Sequence, residues 1–346
     1  LWKNTAYLQN NNTTTTENYD KYSYKFNYNT NLDKISLNTR INVESKFIAG
    51  LYSNKLTINK KDDKDRSQLS VNMLSMYRTN NTYLIRKDWD LRKMNNRIDI
   101  ELKHSYEYTE GNGNIIFKLE TSSLASDYNY SKLNIEAKNT TKVKKLKINT
   151  RSFFQLGTGD NWADESKLTL SGANSEEMMD SKFTRSEGFI SSNYMDYDYK
   201  TNYFHSAGGL NIRGYNGYFA PEFNEDGSLN VLNHKGISGA SINAEIDFTA
   251  YLPYSLRKNR ITSYLFTDAG IITNEIITRN NYKDIFSEIR ADAGIGFTYT
   301  FDKFSPIESV KPLIIRFDIP FFLNRPPASD EDFIQMRWIV GINRAF

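Results

Sequence analysis

The chain of 346 residues has no cysteine, which excludes disulfide staples, thiol nucleophiles and thiolate metal sites. Proline is scarce at 7 residues, so long stretches of backbone keep every N–H free for a ladder. No run of about 18 apolar residues occurs and the mean hydropathy is −0.62, so no helical membrane span is expected. An excess of one charge is also missing. The 44 basic residues are offset by 41 acidic ones for a net charge of +3, too weak a field to gather nucleic acid. Histidine is limited to His104, His205 and His234, scattered along the chain, and each reads as an ordinary polar residue. Neither H-E-x-x-H nor G-x-S-x-G occurs, so no hydrolase motif is present and any catalytic activity would reside in an upstream domain. The acidic stretches Lys61–Asp65 and Ser329–Asp332 lack calcium-ligand spacing and read as solvated loop charge. No metal and no cofactor is expected.

Aromatic residues are abundant, with 23 Tyr and 21 Phe, and they sit in segments of strict alternation. Ile289, Ala291, Ala293, Ile295, Phe297, Tyr299 and Phe301 alternate with Glu288, Arg290, Asp292, Gly294, Gly296, Thr298 and Thr300. Ile242, Ala244, Ile246, Phe248 and Ala250 alternate with Ser241, Asn243, Glu245, Asp247 and Thr249, and the same period of two recurs near Tyr22–Tyr28, Leu37–Phe47, Ile98–Lys103, Leu133–Lys138, Leu313–Ile319 and Ile334–Phe346. Period two is the signature of a strand with one apolar and one polar face. These segments exceed the ~5–6 residues usual in soluble sheets. In lipid every backbone group must pair within the protein, which requires a closed barrel. The expectation is therefore an all-β fold, a transmembrane antiparallel β-barrel of about sixteen strands. With no linker or shift of composition, residues 1–346 form a single barrel domain, and the start at Leu1 without a leader suggests the C-terminal part of a longer chain. Gly157–Thr201, Gly208–Lys235, Thr273–Ile285 and Pro320–Asp332 read as extracellular loops, the first with a strand near Lys167–Ser171. Asn31–Lys34 reads as a periplasmic turn.

One loop carries a motif. Gly208-Gly209-Leu210-Asn211-Ile212-Arg213-Gly214-Tyr215 precedes about five strands, and Phe266-Thr267-Asp268-Ala269-Gly270 follows in one of them. This pair resembles the V-R-G-F/Y motif of the sixth extracellular loop and the F-x-D-x-G segment of strand thirteen in the BamA/TamA-like outer-membrane assembly superfamily. The resemblance covers the chain from about Phe204 to Phe346. It implies an inward-folded sixth loop held by Ile212, Arg213, Gly214 and Tyr215 against Asp268. The chemistry agrees, because a guanidinium shielded from water needs a fixed carboxylate, and Asp268 has the parity of the polar face. Outer-membrane barrels commonly end on a lipid-facing aromatic residue that serves as a sorting signal; Trp338 and Phe346 fit this, while Arg344 departs from it on the same parity.

The resemblance implies location in the cell outer membrane and a part in insertion, translocation or display of proteins, with a seam between Leu1–Asn10 and Asp332–Phe346. Expected partners are outer-membrane lipid and lipopolysaccharide, client polypeptides and accessory envelope proteins, with no nucleic acid. Two alternatives stay open at this point. One is an anchor barrel for a fused gluzincin-type aminopeptidase or patatin-like phospholipase, a combination found in Bacteroidota, whose outer-membrane proteins share this Asn-, Lys-, Tyr- and Ile-rich composition. The other is a passive pore lined by Glu245, Asp247, Glu288, Arg290, Asp292, Arg316, Asp318 and Arg337.

Overall fold

The computed structural model describes residues 4–12, 22–32, 36–48, 50–79, 89–180, 203–216, 221–223, 229–232, 234–258, 260–278, 281–301, 313–326 and 332–346. The chain divides into two compact units. The first comprises residues 1–106, 114–135 and 156–166, the second residues 107–113, 136–155 and 167–346.

The first unit is built on β1 (Asn4–Asn12), β2 (Tyr22–Asn31), β3 (Thr39–Ile48), β4 (Leu51–Lys61), β5 (Ser67–Arg78) and most of β6 (Met94–Tyr108), paired antiparallel in chain order. The register sets the two faces. Val43, Leu56, Met73 and Ile98 lie side by side on one face, and Asn42, Thr57, Asn72 and Asp99 on the other. The polar row is knitted laterally: Thr57 Oγ1 donates to Asn72 Oδ1 at 2.7 Å, and Asn72 Nδ2 to Asp99 Oδ1 at 2.6 Å. On the apolar side Tyr24, Phe47 and Tyr52 form a run of ring contacts at 6.3 and 4.3 Å, of the kind that marks a membrane interface.

β7 (Gly111–Ser122), β8 (Asn129–Val143) and β9 (Leu146–Asn161) continue the chain. On the polar side of the first unit Glu120 is buried among Lys132 at 2.9 Å, Lys118 at 3.1 Å and Arg97 at 3.5 Å. The second unit adds the short strands β10 (Leu168–Thr169), β11 (Phe204–His205), β12 (Pro221–Phe223), β13 (Leu229–Leu232) and β14 (Lys235–Gly236). It also holds the long strands β15 (Gly239–Asp247), β16 (Ile261–Thr278), β18 (Arg290–Phe301) and β19 (Leu313–Leu323), with β17 (Asn281–Phe286) and β20 (Ile339–Ile342). Its ladder runs β9-β15-β16-β18-β19-β20-β11, all antiparallel except the last contact, where β11 lies parallel to β20.

Burial is inverted relative to a soluble sandwich. Ile242 is 64% exposed and Leu265 48%, while Glu245, Asp268, Asp292, Arg316 and Asp318 are each exposed by 1% or less. Exposed apolar residues on one face and sealed ionic residues on the other describe the wall of a membrane-spanning β-barrel. No helix among the described residues is long and apolar enough to cross a membrane.

The main sheet counts sixteen strands among the described residues, but two of them, β11 and β17, are short additions to the long ladder. Two supposed loops contain strand. Thr273–Thr278 closes β16 and pairs with β17, and β19 runs through Pro320 to Leu323. Both break the simple alternation that marked the other strands. The expected strand within the first loop is β10, paired to β14. The final strand is shorter than its alternation suggests. It ends at Ile342, where Asn343 takes a left-handed φ of 67°. Asp33 and Lys34 of the expected turn, and Ser329 to Glu331, lie outside the described residues.

Candidate functional site: the inward loop lock

Residues 208–216 form a loop whose backbone is tied to neighbouring chain before any side chain contributes. Leu210 N donates to Thr169 O at 3.0 Å and Ile212 N to Leu170 O at 3.1 Å. Gly209 has φ +51°, and a Cβ there would stand 2.5 Å from the Gly172 carbonyl, so glycine supplies both the conformation and the room. From the sheet, Arg151 Nη2 donates to Gly209 O at 2.8 Å, and Asn243 Nδ2 donates to Asn211 O at 3.0 Å.

This frame delivers Arg213 into the ionic face with no exposed surface. Its Nε donates to Asp268 Oδ2 at 2.8 Å and its Nη2 to Asp268 Oδ1 at 3.1 Å, a two-pronged pair. Nη1 donates to Glu245 Oε1 at 2.8 Å and lies 3.7 Å from Asp318 Oδ2. The guanidinium also stacks 4.1 Å from the Phe266 ring centroid, with the Phe346 ring at 5.9 Å. A buried guanidinium is stable only when its charge is matched and its planar donors are filled, and three carboxylates and two aromatic faces do both.

Gly214 donates its N–H to Asp292 Oδ2 at 2.6 Å. A Cβ at that position would come within 2.5 Å of Leu323 Cδ2 and 2.7 Å of Asp292 Cβ, so the loop can approach the wall only with glycine there. Tyr215 is fully buried and donates its hydroxyl to Asn324 Oδ1 at 3.0 Å. Its ring joins Leu168, Leu170, Leu210, Ile212, Ile272 and Leu323 in an apolar cluster. Ile212, Arg213, Gly214, Tyr215 and Asp268 are thus all brought together.

Other expectations are revised. Arg344 does not face lipid: its Nη2 lies 3.2 Å from Glu245 Oε2 and 3.5 Å from Asp247 Oδ2, and its guanidinium is 4.5 Å from the Tyr264 ring. The left-handed Asn343 breaks the alternation, which turns Arg344 and the ring of Phe346 toward the ionic face. Trp338, half-buried, stacks on Tyr203 at 3.8 Å. Glu288 is exposed and pairs with Arg325, outside the ionic cluster. The expected seam between Leu1–Asn10 and Asp332–Phe346 is not among the described pairings. Instead the edge of β20 away from β19 is taken by β11, with Phe204 opposite Val340 and His205 opposite Gly341.

His205, which no motif in the sequence singles out, anchors that strap. It is fully buried, Arg316 Nη2 donates to its Nδ1 at 2.5 Å, and its Nε2 donates to Ser171 O at 2.6 Å. Removing the ring strands a buried guanidinium donor, at a cost of about 1–3 kcal/mol. His205→Ala is therefore expected to speed hydrogen exchange of the Val340 amide, which donates to Tyr203 O at 2.6 Å, by roughly tenfold or more. Unchanged exchange would mean that the ring does not hold the strap.

No family model matches the sequence, and no curated protein does. Among solved structures, the chain is similar to BamA from Haemophilus ducreyi lacking POTRA domains 1–3, at 10% identity and a TM-score of 0.46, over 99% of this chain and 70% of that one. It is also similar to CdiB from Escherichia coli, at 12% identity and TM-score 0.40 over 92% and 49% of the two chains. A third similarity is to CdiB from Acinetobacter baumannii, at 12% identity and TM-score 0.35 over 99% and 59%.

Proposed function

We propose that this chain is the barrel domain of an outer-membrane protein that inserts or translocates polypeptides, with residues 210–215 as a loop locked onto the polar face of its wall. The observation that carries this reading is the Arg213 constellation. A membrane pore needs only a polar lining, whereas a fully buried Arg on an inward loop, with three carboxylates and a glycine fitted to one spot, holds that loop in a single position. The packing of residues 203–216 against β15–β20 counts against a passive open channel. Ion-lining residues such as Asp292 and Asp318 are occupied in holding the loop and its neighbours. Outer-membrane lipid surrounds the apolar face in this reading, and client polypeptides meet the polar one.

The test is reconstitution of the full chain in lipid vesicles and measurement of how fast an added unfolded outer-membrane barrel becomes protease-protected. Faster protection than in empty vesicles is expected, with the gain lost in Arg213→Ala. Equal rates in loaded and empty vesicles would remove the function.

A further inference from the structure

The first unit carries a second sealed contact, made by the residues that follow β9. The chain leaves that strand at Asn161 and turns once as a 3-10 helix at Asp164–Ser166, and Trp162, Ala163, Glu165 and Ser166 are all buried. A polar turn straight after a strand ordinarily sits in water, so its burial requires partners. Side chains of β6 and β8 supply them. Asn95 Nδ2 donates to Glu165 Oε1 at 3.0 Å and to Ser166 Oγ at 3.3 Å, Arg97 Nη1 donates to the same hydroxyl at 3.3 Å, and Lys132 Nζ donates to Ser166 O at 3.4 Å. The Trp162 ring stacks on Tyr130 at 4.6 Å, and the Tyr130 hydroxyl donates to Asn95 Oδ1 at 3.2 Å.

Charge explains why an acidic turn is held at this place. Arg97, Lys118 and Lys132 surround Glu120 at 3.5, 3.1 and 2.9 Å, and Lys118 also lies 3.7 Å from Asp99. Three cations against two carboxylates leave an excess of positive charge, and the buried Arg78, stacked 4.2 Å from the Trp89 ring centroid, adds to it within the field of Glu165. The Glu165 carboxylate offsets that excess. The polarity is the reverse of the Arg213 lock, where the loop brings the cation and the wall the carboxylates. We infer that residues 162–166 are a lid, closed over the basic cluster by Glu165 and Trp162 and held independently of Arg213. The two sets of contacts share no residue, and substitutions without common partners act independently. The connection after β9 belongs to the first unit as far as Ser166 and to the second from Lys167 onward. One connection thus carries two latches of opposite charge, and release of either leaves the other shut. Opening the lid takes Ser166 from Arg97 and Lys132 and Glu165 from the cluster, which turns this stretch of the polar face from sealed to cationic. The inference goes beyond the translocation reading and does not depend on it.

A chain without cysteine allows a unique thiol probe. Ala163 has no exposed surface, so the thiol of Ala163→Cys, in the full chain in detergent, should react slowly with a maleimide while the lid is closed. Adding Glu165→Ala or Trp162→Leu should speed labelling by about tenfold or more, the effect of losing one or two buried contacts. Glu165→Gln keeps an acceptor for Asn95 and loses the charge, and should speed it by a smaller factor. Arg213→Ala should leave labelling unchanged while it speeds exchange at the Gly214 amide. Heat-modifiable migration shows that each variant is folded, and exchange of the Ser166 amide, which donates to Ala163 O at 3.0 Å, repeats the comparison without the cysteine. Fast labelling together with fast Ser166 exchange in the folded chain that keeps Glu165 and Trp162, equal rates with and without these two side chains, or opening of the lid by Arg213→Ala would each overturn the inference. Loss of the Arg213-dependent gain in vesicles would instead remove the translocation reading and leave the lid in place.

Discussion

Arg213→Ala is expected to free the inward loop while the sheet stays folded, because the change leaves Asp268, Glu245 and Asp318 buried with their shared cation gone. Breaking a buried ion pair from one side costs about 3–5 kcal/mol. The Gly214 amide, bound to Asp292 Oδ2 at 2.6 Å, reports this directly. Its exchange should accelerate by about a hundredfold or more, whereas amides in the middle of β16 should change little. Arg213→Lys should recover only a small part, since an ammonium cannot bridge both Asp268 oxygens and reach Glu245 at once. Combining Arg213→Asp with Asp268→Arg should restore part of the protection, because the swapped guanidinium still lies among Glu245, Asp292 and Asp318. Wild-type exchange in Arg213→Ala would mean that backbone ties such as Leu210 to Thr169 hold the loop unaided.

Tyr215→Ala is expected to be comparably severe for an apolar reason. The ring is fully buried among Leu168, Leu170, Leu210, Ile212, Ile272 and Leu323, and removing a buried aromatic side chain costs about 3–5 kcal/mol. Tyr215→Phe keeps the packing and loses only the hydrogen bond to Asn324, about 1 kcal/mol. The ratio between the two variants separates packing from polar tethering. Thermal melting followed by heat-modifiable migration, together with exchange at Gly214, gives both numbers. If Phe proved as damaging as Ala, the hydroxyl and not the ring would anchor the loop.

Much of this arrangement was legible in the residues, and the rest was hidden for identifiable reasons. Alternation marked the two faces of β15, β18 and β19, because a period of two is fixed by the pleat and survives any register. The same parity placed Glu245, Asp292 and Asp318 on the ionic face. It did not show that they meet Arg213 and Gly214, since that depends on which residues stand opposite across neighbouring strands, such as Asp268 and Asp292. Parity failed at the C-terminus, where a single left-handed residue, Asn343, resets the alternation and turns Arg344 inward. The β11 strap was invisible, because two residues pairing in parallel leave no periodic signal and His205 has no motif around it. The extension of β16 past Thr273 was missed because Thr273, Asn274 and Glu275 form a polar run that breaks the alternation.

The most direct test of the lock is a double-mutant cycle between Arg213 and Asp268, using Arg213→Ala, Asp268→Ala and the pair, read as hydrogen exchange of the Gly214 amide in the reconstituted chain. A coupling of about 2–3 kcal/mol, near the top of the range for contacting residues, is the predicted result. Independent, additive effects of the two substitutions would contradict the account, because the guanidinium and the carboxylate would then not be holding each other.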